Sequence, residues 1–377
     1  MPAVKRVAVI RRIGGYRAGM RVVVVGASGN VGTAVLRRLA AEASVDSVTG
    51  VARRLPPRGA FADVDWRSID VGAPDGVDPL ARCFAGADAV IQLAWQIQPS
   101  HDQERLRRTN VTGAAQVAEA VFRAEVPALV VASSVGVYAP GPKDREVDED
   151  WPATGVPGST YSRDKVDVEA LLDEVERANP ALRLVRLRPG LVFQRSAASE
   201  IARLFIGPLA PLSLLGFGRV PIVPAVRGLR VQAVHADDVA DAYVRAALST
   251  ASGPFNIAAT PVLDAARVAE RFHGRQVPVP ARLLPAAAAV TWRARLQPVE
   301  PGWVDLALRC PLLSSDRARK ELGWQPKVDA LDALAELFQG MADRAGDLTH
   351  PLRTRPGAIA RLAAMAGGRL PGHGDPY

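Results

Sequence analysis

The chain has little cysteine and no long apolar run, and both absences narrow its function. Its two cysteines, Cys83 and Cys310, stand far apart among 377 residues with no histidine nearby, which argues against a zinc site or a disulfide framework. Both are expected to be buried small side chains, and a reducing, cytoplasmic compartment fits. The longest uncharged run, residues 204–218, contains two prolines and is too short to cross a membrane.

Lysine is also scarce, and positive charge is carried almost entirely by arginine. Only five of the 47 basic residues are lysines, the net charge is +8 and the isoelectric point is about 10. The arginines occur in ones and twos rather than in a stripe with interleaved aromatic residues, which make up only 5% of the chain. This scatter is typical of a high-GC genome and argues against a nucleic-acid surface.

Apolar runs alternate with helical patterns over the first half of the chain. The continuous apolar run at 21–25 predicts a strand buried on both faces, followed by a helix over about 30–42. Alternation of this kind predicts an α/β fold with a doubly wound parallel sheet of the Rossmann type. Further strands are predicted at about 45–52, 64–69, 88–93, 128–133 and 182–187, and further helices at about 102–124 and 160–178.

The pattern loosens after residue 190, where a smaller and mostly helical substrate-binding region is predicted over 191–345. Strands are expected there at 230–235 and 254–257, and helices mainly over 264–344. The apolar segment 204–218 is interpreted either as a lid over a substrate pocket, as a loop that touches a membrane, or as core packing.

The predicted cofactor-binding domain covers residues 20–190. Residues 1–19 are basic and contain too short an apolar stretch for a signal peptide, so they are expected to form a flexible extension. Residues 346–377 are rich in glycine and proline and are expected to form a disordered tail.

Three glycines follow the first strand and open the first helix. Gly26 would permit a tight turn, Gly29 a close approach of the backbone to a pyrophosphate, and Gly32 close packing of helix on strand. The helix N-terminus attracts phosphate charge, and the strand–turn–helix context makes this G-x-x-G-x-x-G spacing a strong prediction of a dinucleotide site. The predicted phosphate-binding turn also includes Ser28, Asn30 and Val31.

The end of the second strand bears on the choice between NADP and NAD. An acidic residue there would hold the ribose 2′-hydroxyl of NAD, but the chain has Arg53 and Arg54. Two guanidiniums can pair with a 2′-phosphate, so NADP is the preferred cofactor and NAD the alternative, unless the arginines are simply solvated. Asp70 is expected to accept a hydrogen bond from the adenine amino group. The same site is predicted to include Val71, Leu93 and Ala94.

Tyr161 and Lys165 lie four residues apart, which places them one above the other on a helix face. A lysine ammonium beside the phenol would lower its pKa and allow it to exchange protons near neutral pH. The spacing alone is a weak signal. Its weight comes from the glycine turn upstream and from Ser133 and Ser134 between the two motifs.

Taken in order, these elements resemble the extended branch of the short-chain dehydrogenase/reductase superfamily, the NAD-dependent epimerase/dehydratase-like proteins. The resemblance covers about residues 21–340 and is specific for the family, though not for a substrate. Besides the glycine turn and Tyr161-x-x-x-Lys165, it rests on Asp70, Leu93-Ala94, Asn110, Ser133-Ser134-Val-Gly-Val-Tyr138, Arg188-Pro-Gly190, His235-x-Asp237-Asp238 and Leu322-Gly-Trp324-x-Pro326.

The resemblance implies a role for each matching residue. Tyr161 would be the catalytic acid/base, Lys165 would lower its pKa and bind the nicotinamide ribose, and Ser134 would hydrogen-bond the substrate oxygen. Ser133 is the nearest competitor of Ser134 for that role. The other implied residues are Asn110, on the helix that flanks the active site, and Pro189, beside the nicotinamide.

His235, Asp237 and Asp238 could suggest a metal site, because imidazole and carboxylates are common metal ligands. The preferred interpretation is structural: an aspartate caps the following helix and His235 packs at a strand end. No metal is predicted.

Departures from the subgroups of this family narrow the expected reaction. Val135-Gly136 follows Ser134 where 4,6-dehydratases carry an Asp-Glu pair, so dehydration is disfavoured. The run at 188–193 resembles that of reductases and hydroxysteroid dehydrogenases rather than that of epimerases. Asp164 stands where the family commonly has serine, and it is either plain surface or the partner of an arginine that alters access.

The sequence therefore predicts an NAD(P)-dependent oxidoreductase that transfers a hydride at a carbonyl or alcohol carbon of a moderately hydrophobic small molecule. A nucleotide-sugar epimerase with one transient oxidation is the first alternative, and a cofactor-binding sensor without turnover is the second. The intact Ser–Tyr–Lys set argues against the sensor. The resemblance also implies a possible homodimer through the helices at 102–124 and 160–178.

Overall fold

The computed structural model describes most of the chain, and its strands and helices are as follows. The described residues are 12–13, 16–17, 19–97, 102–206, 215, 218–281, 284, 288–289 and 301–354. The strands are β1 (Met20–Val25), β2 (Val45–Ala52), β3 (Val64–Ser68), β4 (Ala89–Gln92), β5 (Ala128–Ala132), β6 (Glu146–Val147), β7 (Arg183–Pro189), β8 (Leu191–Phe193), β9 (Ile222–Val226), β10 (Ala233–His235), β11 (Gly253–Ile257), β12 (Arg275–Val279) and β13 (Leu312–Leu313). The α-helices are α1 (Asn30–Ala40), α2 (Val77–Phe84), α3 (Gln103–Arg107), α4 (Gly113–Arg123), α5 (Thr160–Ala178), α6 (Ala198–Ile201), α7 (Ala236–Leu248), α8 (Ala265–Arg271), α9 (Pro301–Arg309), α10 (Asp316–Glu321) and α11 (Ala330–Ala342).

A seven-stranded parallel sheet forms the centre of the molecule, in the order β3–β2–β1–β4–β5–β7–β11. The order reverses between β1 and β4, because the chain crosses from one half of the sheet to the other there. In open parallel sheets a ligand binds at the carboxyl ends of the strands beside such a reversal. The predicted Rossmann-type fold is confirmed, and the sheet already indicates where its site lies.

Each face of the sheet is covered by its own hydrophobic core. Val22 and Val24 of β1 pack into the core that includes α1, α7 and α11, whereas Val23 and Val25 pack against α2, α4 and α5. All four valines are fully buried, and each contributes about 1.5–3 kcal/mol of hydrophobic stabilisation. Burial on both faces explains why the strand is continuously apolar rather than alternating.

Three short parallel ladders lie outside the central sheet and join distant parts of the chain. They pair β8 with β10, β9 with β12, and β6 with β13. The pair β9–β12 departs from the prediction of a mainly helical region over 264–344. Residues 275–279 instead form a strand that contains Val277, Pro278 and Val279, and proline favours the rim of a sheet over a helix interior.

The helix predicted over 102–124 is interrupted. A π-helical turn at Arg108–Thr112 separates α3 from α4 and carries Asn110 toward the interior. Turns of this kind insert one extra residue into a helix and occur frequently at functional sites.

The first part of the predicted disordered tail at 346–377 has a defined structure. Residues 346–354 are ordered, with a 3₁₀ turn at His350–Leu352, and Thr349 and Leu352 are fully buried. The rest of that tail lies outside the described residues, as do residues 207–214 and 216–217 of the proposed lid and most of residues 1–18. Within the first segment, residues 12–13 pair with residues 16–17 in a short antiparallel ladder.

Every helix in the described ranges is too short or too polar to cross a bilayer. Of the two cysteines, Cys310 is buried as predicted, but Cys83 is only partly buried, and both are free thiols.

Candidate active site

The turn after β1 requires glycine at two of its three glycine positions. Gly26 has a φ of +83°, and a Cβ there would lie 2.5 Å from the backbone nitrogen of Ala94. A Cβ on Gly32 would collide with the carbonyl oxygen of Gly26, so this glycine allows α1 to pack on the turn. Gly29 is the N-cap of α1 without any side-chain cap, and a Cβ there would meet only ordinary contacts. The N-terminus of α1 is therefore open to an anionic ligand.

A cleft runs along the carboxyl ends of β1 to β4 and contains most of the residues predicted to bind the cofactor. Those that line it are Gly26, Ser28, Gly29, Arg53, Arg54, Asp70, Val71, Leu93 and Ala94. Nine other lining residues were not predicted to bind the cofactor: Val25, Val51, Ala52 and Ile69 at or next to the strand ends, and Trp95, Gln96, Thr109, His350 and Pro351. Trp95 and Gln96 directly follow the predicted Leu93-Ala94, so the signal for them was only their position after β4.

Six predicted cofactor residues lie outside the lining of this cleft, and two of these, Tyr161 and Lys165, lie beside it on α5. Asn30 donates from Nδ2 to the Val192 carbonyl (3.3 Å), and its Oδ1 accepts from Gln194 (2.7 Å), so its side chain fastens α1 to the segment around β8. Pro189 ends β7 and pairs with Ile257 in the sheet. The other two, Val31 and Gly32, belong to the first turn of α1.

The cleft fits a dinucleotide by its chemistry as well as its place. Within the described residues, the indole Nε1 of Trp95 and the amide Oε1 of Gln96 are buried without a hydrogen-bond partner. An unpaired buried polar atom costs about 1–3 kcal/mol, so these atoms favour a ligand that carries polar groups into the cleft. Asp70 accepts from the Gly72 N–H (3.0 Å) and is exposed, which leaves its second oxygen open to a donor.

Ser134 and Tyr161 are brought together around Gly136 although they are 27 positions apart. Ser134 follows β5 and accepts from the Gly136 N–H (3.1 Å), while Tyr161 lies in the first turn of α5, which is capped by Ser159. A Cβ on Gly136 would lie 2.8 Å from Cε1 of Tyr161. Glycine at this position therefore makes room for the phenol ring.

Ser133 points away from this contact. Its hydroxyl donates to Glu169 (2.5 Å), and Glu169 forms a buried ion pair with Arg188, which in turn donates to the Tyr138 hydroxyl (2.9 Å). Both charged groups are less than one-tenth exposed. Ser133 thus belongs to a buried structural network, and Ser134 is the serine that faces Tyr161.

Two tryptophans enclose the Tyr161 ring. Trp303 of α9 stacks on it with ring centroids 4.6 Å apart, and Trp95 meets it edge-on at 5.9 Å. Burial raises the pKa of the Tyr161 phenol to about 12, and the hydrogen bond with Ser134 opposes that rise only in part. This direction is opposite to the one predicted from the Tyr–Lys spacing.

The position of Lys165 explains the difference. Its Nζ donates to the Ala132 carbonyl (2.8 Å) and lies 3.4 Å from the centroid of the Trp95 ring, as in a cation–π contact. The same atom is 5.9 Å from the centroid of the Tyr161 ring. Burial lowers the pKa of Lys165 to about 7, against the opposing charges of Glu169 and Asp164. Desolvation is therefore the largest cause of the pKa shift of both Tyr161 and Lys165.

Asn110 holds the loop after β4 rather than contacting Tyr161. Its Oδ1 accepts from the Gln96 N–H (2.7 Å) and its Nδ2 donates to the Gln96 carbonyl (3.0 Å). The amide oxygen and the amide nitrogen of this buried side chain therefore both hydrogen-bond to the backbone of Gln96, which lines the cleft. In this structure Asn110 is a positioning residue for the loop that carries Trp95.

Asp164, the departure from the family pattern, is the partner of an arginine. It is buried, and its Oδ1 lies 2.5 Å from Nη1 of Arg107 at the end of α3, while Nη2 of the same arginine lies 2.7 Å from Asp167. One guanidinium thus joins α3 to two positions of α5. Asp164 is therefore the partner of an arginine rather than a plain surface residue.

The His–Asp–Asp group at the start of α7 is structural, but the capping residue is not the predicted one. The ring Nδ1 of His235 accepts from the Asp237 N–H (3.2 Å) and so caps the helix. Asp238 instead accepts from the Val328 N–H (3.0 Å), and its carbonyl accepts from the Trp324 indole (2.8 Å). Among the described residues, no group of three or more side chains is arranged to hold a metal ion.

The arrangement of a glycine turn, a cleft at the strand reversal and a Ser–Tyr–Lys set matches a known protein family. The model of the NAD-dependent epimerase/dehydratase family matches residues 22–258, well over half of the chain. The chain belongs to the NAD-dependent epimerase/dehydratase family. It is thus an NAD-dependent enzyme of the epimerase/oxidoreductase kind, and the resemblance found in the sequence is confirmed.

Individual relatives are distant. The UDP-glucose 4-epimerase of Azospirillum brasilense is 26% identical over 345 residues, which cover 84% of this chain and 90% of the relative. An uncharacterised protein of Mycobacterium tuberculosis is 26% identical over 268 residues, covering 71% of this chain and 68% of the relative. The solved structure of UDP-glucose 4-epimerase from Thermus thermophilus in complex with NAD has a TM-score of 0.64 at 22% identity, covering 86% and 99% of the two chains. At that identity the likeness shows the fold.

Proposed function

We propose that this enzyme is an NAD(P)-dependent oxidoreductase that reduces a carbonyl group or oxidises the matching alcohol, with Tyr161 as acid/base. The observation that carries the proposal is the placement of Ser134 and the Tyr161 ring around Gly136, with Lys165 one turn further along α5, beside the cleft at the carboxyl ends of the strands. A nicotinamide cofactor held in this cleft supplies or accepts the hydride.

The protein contributes proton transfer and placement. Ser134 is close enough to lower the pKa of the Tyr161 phenol by hydrogen bonding, so the two hydroxyls are placed to hydrogen-bond a single substrate oxygen. The raised pKa keeps the phenol protonated at neutral pH, which suits it to donate a proton to the oxygen of a carbonyl substrate. In the reverse direction, the substrate hydroxyl would have to lose its proton to an ionised phenol, so oxidation is favoured at higher pH.

The surroundings of Tyr161 favour a moderately hydrophobic carbonyl compound. Trp95 and Trp303 supply flat apolar surfaces on two sides of the phenol, and the neighbouring Gly136 has no side chain that could serve as a second acid or base. A hydride transfer with one proton donor needs no such second group, whereas a dehydration does.

We further propose that the cofactor is preferentially NADP. Arg53 and Arg54 line the cleft at the end of β2, where an NAD enzyme of this fold commonly has a carboxylate for the ribose hydroxyls. Guanidinium groups pair well with phosphate because they present parallel N–H donors.

A nucleotide-sugar epimerase is the second candidate, and one specific observation favours it. The relative from Azospirillum brasilense is a UDP-glucose 4-epimerase, and its similarity extends over 84% of this chain. An epimerase would use the same Ser134, Tyr161 and Lys165 for one transient oxidation and then return the hydride.

Net cofactor consumption separates the two candidates. The purified enzyme would be mixed with NADPH or NADH and with a panel of aldehydes and ketones, and separately with UDP-glucose and a trace of cofactor. Steady oxidation of NADPH with a carbonyl compound supports the oxidoreductase. Conversion of UDP-glucose without a net change in cofactor would reject the oxidoreductase and support the epimerase. Cofactor binding without turnover in either experiment would instead support a cofactor-binding sensor.

A further inference from the structure

The ordered C-terminal segment 346–354 forms one wall of the cofactor cleft. His350 and Pro351 line the cleft together with Arg53 and Arg54 from the loop after β2. Nη1 of Arg54 lies 3.0 Å from Nε2 of His350, across 296 positions of sequence. The segment therefore reaches the end of the cleft at which the adenosine ribose of a dinucleotide lies in this fold.

The segment is held there by its own contacts. Leu352 is fully buried, its carbonyl accepts from the Asp347 N–H (2.8 Å), and its N–H donates to the Thr349 carbonyl (3.1 Å). Just before the segment, the Ala345 carbonyl accepts from the hydroxyl of Ser199 in α6 (2.6 Å). These bonds present His350 to the cleft at a defined place instead of leaving it on a mobile tail.

Within the described part of the chain, several arginines act on the imidazole of His350. They come from three parts of the chain: Arg53 and Arg54 after β2, Arg203 in the π-helical turn at 202–206, and Arg353 in the segment itself. Together with burial, they lower the pKa of His350. Asp70, which follows β3, is the acidic residue among those that line the cleft. Bringing like charges together costs free energy, which a bound anion would recover.

We propose that His350, next to Arg54, completes a binding site for the 2′-phosphate of NADP, and that segment 346–354 thereby helps to select the cofactor. The inference rests on the proposed function in that it takes NADP as the cofactor. In the free enzyme Arg54 donates to a neutral imidazole. When the phosphate binds, it accepts from Arg54 and from the imidazole, which takes up a proton because a dianion now lies beside it.

The test is the affinity of the full-length enzyme for NADPH and NADH, measured by fluorescence titration at about pH 8 and about pH 6.5. Loss of a hydrogen bond to a charged group weakens binding roughly tenfold, so H350Q should raise the Kd for NADPH by about that factor and leave the Kd for NADH unchanged. The matched control is R58Q, which removes a positive charge from an exposed residue of the same loop outside the cleft.

Proton uptake gives a second readout. The pKa of His350 is higher in the complex than in the free enzyme, so NADPH affinity should rise as pH falls through the range between the two values. The phosphate itself gains a proton near pH 6, but this affects wild type and H350Q alike, so the ratio of their Kd values isolates the histidine. The ratio should be larger at about pH 6.5 than at about pH 8, and NADH should show no such change.

Each outcome has one meaning. If wild type prefers NADPH and H350Q binds it equally well at both pH values, the role of His350 is overturned while the proposed reaction and cofactor stand. If wild type prefers NADH, both the proposed preference for NADP and the proposed role of His350 are wrong. The proposed hydride-transfer reaction still stands in that case. If thermal melting shows that H350Q is misfolded, the smaller H350N is used with the same criteria.

Discussion

At the level of single residues, Tyr161 and Lys165 show how strongly burial shifts the pKa values of the proposed catalytic pair. Removal from water disfavours the charged form of any group, so the same enclosure raises the pKa of the phenol to about 12 and lowers that of the ammonium to about 7. Trp95 contacts both side chains and is a main part of that enclosure. A ligand that displaces an indole from this site would readjust both pKa values.

Replacing Tyr161 with phenylalanine should abolish most turnover while leaving the enzyme folded. The change removes only the hydroxyl that exchanges a proton with the substrate, and general acid–base catalysis typically contributes 10²–10⁴-fold in rate. We expect kcat to fall by about that factor with the carbonyl substrate and cofactor Kd to change by less than about twofold. Full turnover by Tyr161→Phe would show that the proton comes from another group.

The lowered pKa of Lys165 predicts a pH-dependent stability. Its pKa is about 7 in the folded chain and 10.5 ordinarily, so between these values the unfolded chain binds more protons and stability rises with pH. Lys165→Met lacks this titration. We expect the variant to be more stable than wild type by several kcal/mol below about pH 7, with the difference vanishing toward about pH 10.

Urea unfolding at a series of pH values measures this difference. Lys320→Met, at an exposed position of α10, is the matched control and should follow the wild-type curve. Equal slopes of stability against pH for Lys165→Met and wild type would mean that Lys165 remains charged and solvated in the folded enzyme.

Among the secondary-structure elements, α5 carries Tyr161 and Lys165 and is held by ion pairs along its length. Arg107 joins it to α3 through Asp164 and Asp167, and Glu169 joins it to β7 through Arg188. The first of these lies beside the π-helical turn that holds Asn110. The position of Tyr161 therefore depends on contacts made well outside the cleft.

Removing the guanidinium of Arg107 should destabilise this junction. Arg107→Gln leaves the buried carboxylate of Asp164 with only the longer contact to Arg163 (4.0 Å), which costs about 2–3 kcal/mol. The double variant Arg107→Gln/Asp164→Ser restores the serine common in the family and removes the buried charge, so most of the loss should be recovered. Urea unfolding of both variants checks this, and an equal loss in both would assign the effect to Asp167 or to packing.

At the scale of the whole molecule, cofactor binding should stabilise the fold as a unit. The cleft is built from the ends of four strands and from segment 346–354, all of which must be in place to bind a dinucleotide. A ligand at one hundred times its Kd adds about 2.7 kcal/mol to the free energy of unfolding. We expect NADP to raise the melting temperature more than NAD at equal concentration, and equal shifts would argue against the 2′-phosphate site.

Prediction from sequence succeeded where local pattern and burial agree. The apolar run of β1 is buried on both faces, and the glycine turn that follows it needs glycine at Gly26 and Gly32 for reasons of local geometry. It failed at β12, where a helix was expected, and at segment 346–354, where glycine and proline suggested disorder. Both β12 and segment 346–354 pair or pack with residues that are far away in the chain, so the local sequence pattern could not predict their structure.

Short-range spacing was enough to predict the fold class, the family, the glycine turn and the residue types of the Ser–Tyr–Lys set from the sequence. The folded structure was needed to show that Ser134 rather than Ser133 lies beside Tyr161, that Asp164 pairs with Arg107, and that His350 reaches Arg54. The direction of the pKa shifts of Tyr161 and Lys165 also came from the structure. Desolvation and ion pairing depend on distances in space, which folding sets between residues that are far apart in the chain.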